Sequence, residues 1–230
     1  MRKFILAGLT LSLLFMVACG AVAEMVDGNA YERVHRRLVA MEGFSAQATV
    51  TYISNNTTHV YDTIQHALAT GQYRIEVTSP ENVAGNTTIF DGTTISQFNP
   101  NVGGTVSQTN QEAPERLEIL LTSFVRNFIT SNEVTVTAAS LDESLTTVLE
   151  TTIPGEHPYI STARLWMCND SLNPLRMVIF DQAGAERVIV AYNTFEYNPQ
   201  LPANLFQLGT DTTLDEEVEV EENQEDVEDE

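Results

Sequence analysis

Residues 44–52 read FSAQATVTY, and this stretch decides the fold class. Apolar or small residues occupy every second position from Phe44 to Tyr52, and Ser, Gln and Thr occupy the positions between them. Because successive side chains of a strand point to opposite faces, this period of two predicts a strand with one buried face. The following extended runs, separated by turn residues that include Asp91-Gly92, predict an antiparallel meander over residues 58–68, 72–78, 83–90 and 93–98.

Two segments instead show helical spacing. A short helix with Tyr31, Val34 and Leu38 on one side is predicted to end before Gly43, and a longer one is predicted over residues 114–129, where Pro114 favours the start. Residues 99–104 are interpreted as a loop. Strands are predicted again over residues 134–139, 145–153, 160–167, 175–181 and 187–197. The fold class is therefore α+β, mostly β, with about ten antiparallel strands and two or three helices to one side.

The N-terminus resembles a bacterial lipoprotein signal. Arg2 and Lys3 precede an uncharged apolar run over residues 4–18, which ends in Met-Val-Ala before Cys19. The run is too short to cross a bilayer as a helix, so it indicates an export signal. We expect residues 1–18 to be removed, Cys19 to carry the lipid and residues 19–28 to form a tether. The alternative is an ordinary secretory signal cut after residues 21–23.

The acidic residues are unevenly distributed. The net charge is −21, and residues 211–230 hold 12 of the 32 acidic residues and no basic one. This composition predicts a disordered tail, which either keeps the protein in solution or forms a weak calcium or basic-partner site. Residues 21–210 hold the other 20 acidic residues and 9 arginines, so a nucleic-acid partner is not expected.

No motif for catalysis or for cofactor binding is present. A phosphate-binding glycine loop, a nucleophile elbow and a His-Glu-x-x-His pattern are all missing from the sequence. His59 and His66 are seven residues apart on one predicted strand, so they face opposite ways and cannot share a metal ion. Glu156 and His157 lie in a predicted turn and are weak catalytic candidates. We therefore predict a protein that is not an enzyme and has no metal ion or cofactor.

Two single residues have alternative interpretations. Cys168 is a lone thiol if Cys19 is lipidated, and we expect it to be buried as a small apolar side chain, with an intermolecular disulfide as the alternative. Trp166 lies on a predicted strand, and we expect it to pack in the core, with the rim of a cavity as the alternative.

The order of several short motifs resembles the LolA-like lipoprotein-carrier superfamily over residues 31–208. The first group is Tyr73-Arg74-Ile75-Glu76, Ser79-Pro80, Phe90-Asp91-Gly92 and Phe98. The second group is Leu165-Trp166-Met167, Asn173-Pro174-Leu175-Arg176, Phe180-Asp181, Phe195 and the segment from Leu201-Pro202 to Phe206. The resemblance implies an unclosed antiparallel half-barrel domain over residues 29–210, covered by helices.

In that superfamily the concave apolar cavity receives acyl chains or other apolar ligands. The resemblance thus implies a non-enzymatic, membrane-anchored protein outside the cytoplasm that binds an acyl chain or a lipoprotein lipid. The anchor at Cys19 is a feature of relatives such as the GerS-type germination lipoproteins, which implies the alternative of a module that regulates a cell-wall amidase. The alternating pattern fits both an open cavity and a filled core. The predicted cavity residues are Val50, Tyr52, Ile75, Leu117, Leu121 and Phe124.

Overall fold

The structure, a computed structural model, describes residues 28–109, 117–202 and 204–207. The signal segment 1–18, Cys19 and the acidic tail 211–230 lie outside the described residues. What the sequence predicts for these three parts therefore stays a prediction.

Eleven strands and two α-helices make up the regular structure of the described residues. The helices are α1 (Gly28–Val39) and α2 (Leu121–Thr130). The strands of the first half are β1 (Gly43–Ile53), β2 (Thr58–Leu68), β3 (Tyr73–Ser79), β4 (Thr87–Phe90), β5 (Thr94–Asn99) and β6 (Gly104–Thr109). Those of the second half are β7 (Val134–Leu141), β8 (Ser144–His157), β9 (Ile160–Cys168), β10 (Pro174–Phe180) and β11 (Glu186–Tyr197).

All eleven strands belong to one antiparallel sheet with the order β6-β5-β4-β3-β2-β1-β11-β10-β9-β8-β7. The first six strands form one meander and the last five form another, and the two meanders meet where β1 pairs with β11. In the register of this central region, Val50 lies between Tyr61 of β2 and Val190 of β11. Strands β6 and β7 are the two edges, so the sheet is not closed. The predicted fold class is confirmed.

Both helices lie on the concave face, over one part of the sheet. Helix α1 buries Val34 and Leu38, helix α2 buries Phe124 and Phe128, and both helices contact β8. The helical side chains share one apolar core with inward residues of β1 to β4 and β8 to β11. Because apolar burial is the main stabilising term in folding, this core stabilises both meanders. Among the described residues, no helix is long and apolar enough to span a membrane.

The helix predicted from residue 114 begins later in the structure. Helix α2 starts at Leu121, and residues 117–120 form a turn in front of it. Leu120 has extended backbone angles, so it precedes the helix. At the other end, the backbone N–H of Ser131 donates a hydrogen bond to the Asn127 carbonyl oxygen. The apolar period over residues 117–129 therefore spans a turn and a helix, because both bury side chains against the same sheet.

The first meander differs from the prediction at two places. Residues Glu81–Val83 form a 3₁₀ turn, so the strand predicted from residue 83 begins at Thr87. The loop predicted over residues 99–104 leads into β6, a strand that the sequence analysis missed. Strand β6 contains mostly Thr, Ser, Gln and Gly, and as an edge strand it has no apolar period to indicate it.

The prediction that Trp166 packs in the core is wrong. Its neighbours along β9, Leu165 and Met167, are fully buried on the concave face, so Trp166 points to the convex face and is half-buried there. The guanidinium carbons of Arg164 and Arg176 each lie 5.7 Å from the centre of its ring. The indole is thus held by cations on the outside of the sheet and forms neither core nor cavity rim.

Candidate ligand cavity

A cavity of about 660 Å³ opens on the concave face of the first meander. Its walls come from β1 to β6 and from the turn at residues 117–120 in front of α2. The cavity adjoins the buried core, since Val50, Ile75 and Ile119 belong to the core and also line the cavity. The volume falls within the range typical of small-molecule sites, about 300–1,000 Å³.

Apolar side chains form the floor of the cavity and part of its rim. Val50, Ile75 and Ile119 are buried at the floor. Val102 and Val106 are exposed at the rim, on the side of the free edge strand β6. An apolar chain placed here would lose contact with water along its length and would cover valines that are otherwise solvated.

Uncharged polar residues line the remainder of the cavity. None of the described lining residues is an Asp, Glu, Lys, Arg or His. The threonine, asparagine and glutamine residues of the lining are Thr63, Asn86, Thr87, Thr88, Gln97, Asn99 and Thr105. The walls therefore offer hydrogen bonds but no charge to a ligand.

A buried amide lies directly behind this wall. Gln65 is 0 % exposed on β2, and its Nε2 donates to the Thr63 hydroxyl at 3.2 Å. The Thr63 hydroxyl in turn donates to the Ala48 carbonyl oxygen at 2.9 Å, so it can only accept from Gln65. The NH₂ group of the Gln65 amide, and not its oxygen, therefore faces Thr63. The Gln65 Oε1 is buried and has no hydrogen-bond partner among the described residues.

Two tyrosines mark one end of the cavity. Tyr52 of β1 and Tyr61 of β2 both line it, and their rings meet edge to face with the centres 6.0 Å apart. Burial of the hydroxyl, together with the neighbouring Tyr61, raises the pKa of Tyr52 above its ordinary value. Tyr52 also lines a second hollow of about 410 Å³ that lies between the β1–β2 and β8–β9 turns, so it separates the two spaces.

The six predicted cavity residues fall into two groups. Val50, Tyr52, Ile75 and Leu117 line the cavity. Leu121 and Phe124 of α2 are instead fully buried in the core under the helix. Whether any of the six contacts a ligand stays a prediction. The residues that the sequence analysis did not identify are the polar ones, because a Thr, Asn or Gln on a strand carries no signal that separates a cavity wall from a solvated face.

Three histidines lie apart from one another in the sheet. His59 pairs with Tyr52 in the register and His66 pairs with Ser45, so they lie on opposite faces of β2 as predicted. Nδ1 of His157 accepts a hydrogen bond from the Tyr159 N–H at 3.3 Å in the β8–β9 turn. The described residues contain no group of three or more His, Cys, Asp and Glu side chains that could hold a metal ion.

Cys168 is a free thiol at the end of β9 and is half-buried rather than buried. Partial burial acts to raise the pKa of this thiol, but hydrogen bonds from Ser171 and from the backbone of Asp170 outweigh it. The pKa of the thiol is lowered as a result. The surroundings of Cys168 are thus more polar than those expected for a buried, small apolar side chain.

Comparison with known proteins relates this fold to several solved structures. An uncharacterised conserved protein from Thermus thermophilus shares 14 % identity with a TM-score of 0.50, over 80 % of this chain and 94 % of that chain. The complex of the CwlD amidase with the GerS lipoprotein from Clostridioides difficile contains a similar chain, with 28 % identity and a TM-score of 0.45 over 74 % and 95 %. A LolA superfamily protein from Nitrosomonas europaea shares 13 % identity and a TM-score of 0.41 over 77 % and 96 %.

A putative outer-membrane lipoprotein-sorting protein domain from Vibrio parahaemolyticus is also among these neighbours. No curated protein has a sequence that matches this one. A family model, in contrast, matches residues 2–206, which is nearly the whole predicted domain together with the N-terminal segment. The chain therefore belongs to the sporulation protein YdcC-like family.

Proposed function

We propose that this chain is a non-enzymatic lipoprotein, anchored outside the cytoplasm by a lipid on Cys19, that binds an acyl-bearing ligand in the cavity of its first meander. The observation that carries the proposal is the uncharged cavity of about 660 Å³, whose floor is formed by Val50, Ile75 and Ile119. Apolar burial of this kind is worth about 0.8 kcal/mol for each methylene group, so an acyl chain gains affinity along its whole length.

Mass spectrometry of an organic extract is the direct test. The chain without its signal and without Cys19, residues 20–230, is purified gently, and the extract is searched for acyl lipids. We expect a reproducible lipid, and we expect added acyl ligands to raise the melting temperature because they bind the folded state. Protein that is always free of lipid and gains no stability from acyl ligands would overturn the proposal.

A matched pair of valines tests on which face of the sheet the ligand binds. Val106 is 71 % exposed at the cavity rim, and Val60 is 51 % exposed on the other face, outside the cavity. We expect Val106→Asp to weaken binding of an acyl ligand about tenfold, because a carboxylate then faces the chain. Val60→Asp introduces the same charge on a strand and should leave the affinity unchanged. Equal losses in both variants would contradict binding in this cavity.

A second candidate function is a protein-interaction module that regulates a cell-wall amidase in spores. Membership of a sporulation family favours it, as does the edge strand β7 (Val134–Leu141), which has no charged residue to block pairing with a partner strand. Cross-linking in sporulating cells should then recover an amidase. Double substitution of the exposed Thr135 and Thr137 by Lys should abolish the cross-link, and an unchanged cross-link would exclude β7 as the contact.

A further inference from the structure

We infer that the outer surface of the two helices binds a bilayer of anionic lipids. The inference rests on the anchored protein of the proposed function, because a lipid on Cys19 would hold the helices beside a membrane. Its structural basis is a patch in which arginines without ion pairs surround exposed aliphatic side chains. This patch, the arginine surface, consists of Arg33, Arg36, Arg37 and Val39 of α1 and of Arg126 and Ile129 of α2.

The arginines of this surface differ from those of the sheet because they have no carboxylate partner. Each described arginine of the sheet lies within 3.6 Å of a carboxylate oxygen, and these residues are Arg74, Arg164, Arg176 and Arg187. None of the four arginines on the helices forms an ion pair with another described residue. The Arg37 guanidinium carbon instead lies 4.6 Å from the centre of the Tyr197 ring. The cations on the helices are therefore available to an external anion.

Helix α1 carries most of this positive charge. Arg36 and Arg37 follow Arg33 by three and four residues, so the three side chains are neighbours on the helix surface, and all three are exposed. Glu32 is the one acidic residue of α1, and it forms no ion pair with them. Helix α2 adds the half-buried Arg126 and contains no acidic residue. The two helices thus carry four positive charges and one negative charge, although the net charge of the whole chain is −21.

Exposed aliphatic side chains accompany the arginines of the two helices. Val39 at the end of α1 is 53 % exposed, and Ile129 near the end of α2 is 54 % exposed. These two residues and Arg126 line one groove of about 230 Å³ between the helices. Val39 and Arg36 also line a second hollow along α1, so the aliphatic pair has an arginine on either side. Aliphatic side chains next to arginines are typical of surfaces that lie in the membrane interface.

The chain reaches this surface directly from the predicted lipid site. Helix α1 begins at Gly28, nine residues after Cys19. Because an extended chain spans at most about 3.6 Å for each residue, α1 stays within roughly 30 Å of the lipid. The anchor therefore keeps the arginine surface near the lipid head groups.

A bilayer of anionic lipids matches both components of the arginine surface. Each arginine can donate several hydrogen bonds to phosphate oxygens, and the boundary with the acyl chains can bury Val39 and Ile129. An acidic polypeptide would neutralise the arginines but would leave the aliphatic side chains in water. Because the rest of the protein is acidic, repulsion from the head groups restricts the contact to the helices. The bilayer is therefore the partner that this surface fits best.

Sedimentation with lipid vesicles tests the inference. Residues 20–230, which lack Cys19, are mixed with vesicles of phosphatidylcholine alone or of phosphatidylcholine with phosphatidylglycerol. At low salt we expect binding to the anionic vesicles to be about tenfold tighter or more. Binding should weaken as the salt concentration rises, because salt screens the attraction between exposed charges.

Removal of two arginines tests the contribution of charge. We expect Arg33→Gln combined with Arg36→Gln to weaken binding to the anionic vesicles about thirtyfold, since each arginine near such a surface is worth about fivefold. Arg164→Gln combined with Arg176→Gln changes the net charge equally on the outside of the sheet, and should alter binding less than about twofold. The melting transition of each variant establishes that it is folded.

Removal of the aliphatic side chains tests the contact with the acyl chains. We expect Val39→Ser combined with Ile129→Ser to weaken binding to the anionic vesicles about fivefold or more, because less apolar surface then leaves water. Val60→Ser combined with Val134→Ser is the matched control. These valines are similarly exposed, but they lie on β2 and β7, so their loss should leave vesicle binding unchanged.

The possible outcomes either support or overturn the inference. Equal binding to both kinds of vesicle, or no vesicle binding at all, would overturn it, as would equal losses from a pair on the helices and its matched control. Binding of a soluble poly-glutamate peptide without binding of vesicles would assign the surface to an acidic polypeptide and would overturn it too. These results are separate from the proposed function, because residues 20–230 carry no lipid. Absence of palmitate labelling or of an extracted acyl lipid would instead contradict the proposed function alone.

Discussion

Asp181 holds the β10–β11 hairpin together through one carboxylate. Its Oδ1 accepts the backbone N–H groups of Ala183 at 2.9 Å and Ala185 at 2.8 Å, and its Oδ2 accepts Nε of Arg187 at 2.7 Å. The hydrogen bond from Ala185 and the neighbouring Arg187 guanidinium hold the pKa of this carboxyl below its ordinary value, against the opposing effect of burial. The ionised form is therefore the one that stabilises the turn.

The pH dependence of stability follows from this shift. Because the folded pKa lies below the unfolded value of about 3.9, the contribution of Asp181 is complete above that value and is lost as the pH falls through the folded pKa. We expect Asp181→Asn to lower the melting temperature at pH 7 and to weaken the acid dependence below pH 4. Asp142→Asn removes the same charge from the β7–β8 turn and is the control. A melting temperature that is unchanged by Asp181→Asn would contradict the assignment.

Single residues also show how far the sequence can predict a site. The alternation around Val50 correctly groups the residues that share a face, since Phe44, Ala46 and Ala48 are all buried with it. The prediction that Trp166 packs in the core is wrong, because a period of two does not say which face of the strand is buried. The resolving signal is its neighbourhood, where Arg164 and Arg176 pair with Glu150 and Glu186 and require solvent.

Among the elements, helix α2 contributes most directly to the core. Phe124 is 1 % exposed, and its ring stacks on Phe128 with the centres 6.0 Å apart. Ile129 belongs to the same apolar period in the sequence but is 54 % exposed at the end of the helix. The two residues therefore make unequal contributions to stability, although the sequence pattern treats them alike.

Truncation of these two side chains measures the difference. We expect Phe124→Ala to lower the free energy of unfolding by about 3–5 kcal/mol, since it removes a buried ring and leaves a void. Ile129→Ala should change it by less than about 0.5 kcal/mol. Urea unfolding followed by circular dichroism gives both values. Similar losses in the two variants would show that the helix is seated differently on the sheet.

The elements that the sequence predicted well are those with one buried face. The bounds of β2 agree with the prediction, and β1 and β3 agree within one residue, because apolar and polar positions alternate clearly in them. Strand β6 was missed because neither of its faces is buried deeply enough to require apolar residues. Four of the six predicted cavity residues do line the cavity, whereas Leu121 and Phe124 are buried in the core, because the apolar period of a helix does not distinguish a cavity wall from a filled core.

At the scale of the whole molecule, the proposed anchor would decide where the protein acts. The predicted lipid site Cys19 lies outside the described residues, and α1 begins at Gly28, so the predicted tether is short. Two acyl chains on one cysteine, at about 0.8 kcal/mol for each buried methylene, are enough for stable anchoring. The cavity would then remain close to the membrane surface that supplies its ligand.

The two cysteines of the chain provide a matched test of the anchor. We expect Cys19→Ala to abolish labelling with radioactive palmitate and to leave the signal uncut by the lipoprotein peptidase. Cys168→Ala should label as the unmodified protein does, because its thiol lies at the end of β9. Labelled protein should stay with the membranes through a high-salt wash. Release by salt alone would show that charge rather than lipid holds the protein.

The pairing of β1 with β11 has a consequence for how the chain reaches this structure. Phe44 lies opposite Tyr197 and Tyr52 lies opposite Val188. The backbone hydrogen bonds on this edge of β1 therefore form only when β11 is present. Contacts so far apart in sequence slow folding, and an unpaired strand edge invites association with other chains. During synthesis, β1 can pair with β2 but keeps its other edge unpaired until the final strand is available. The time between the synthesis of residues 43–53 and that of residues 186–197 is therefore the time during which this edge of β1 can pair with another chain.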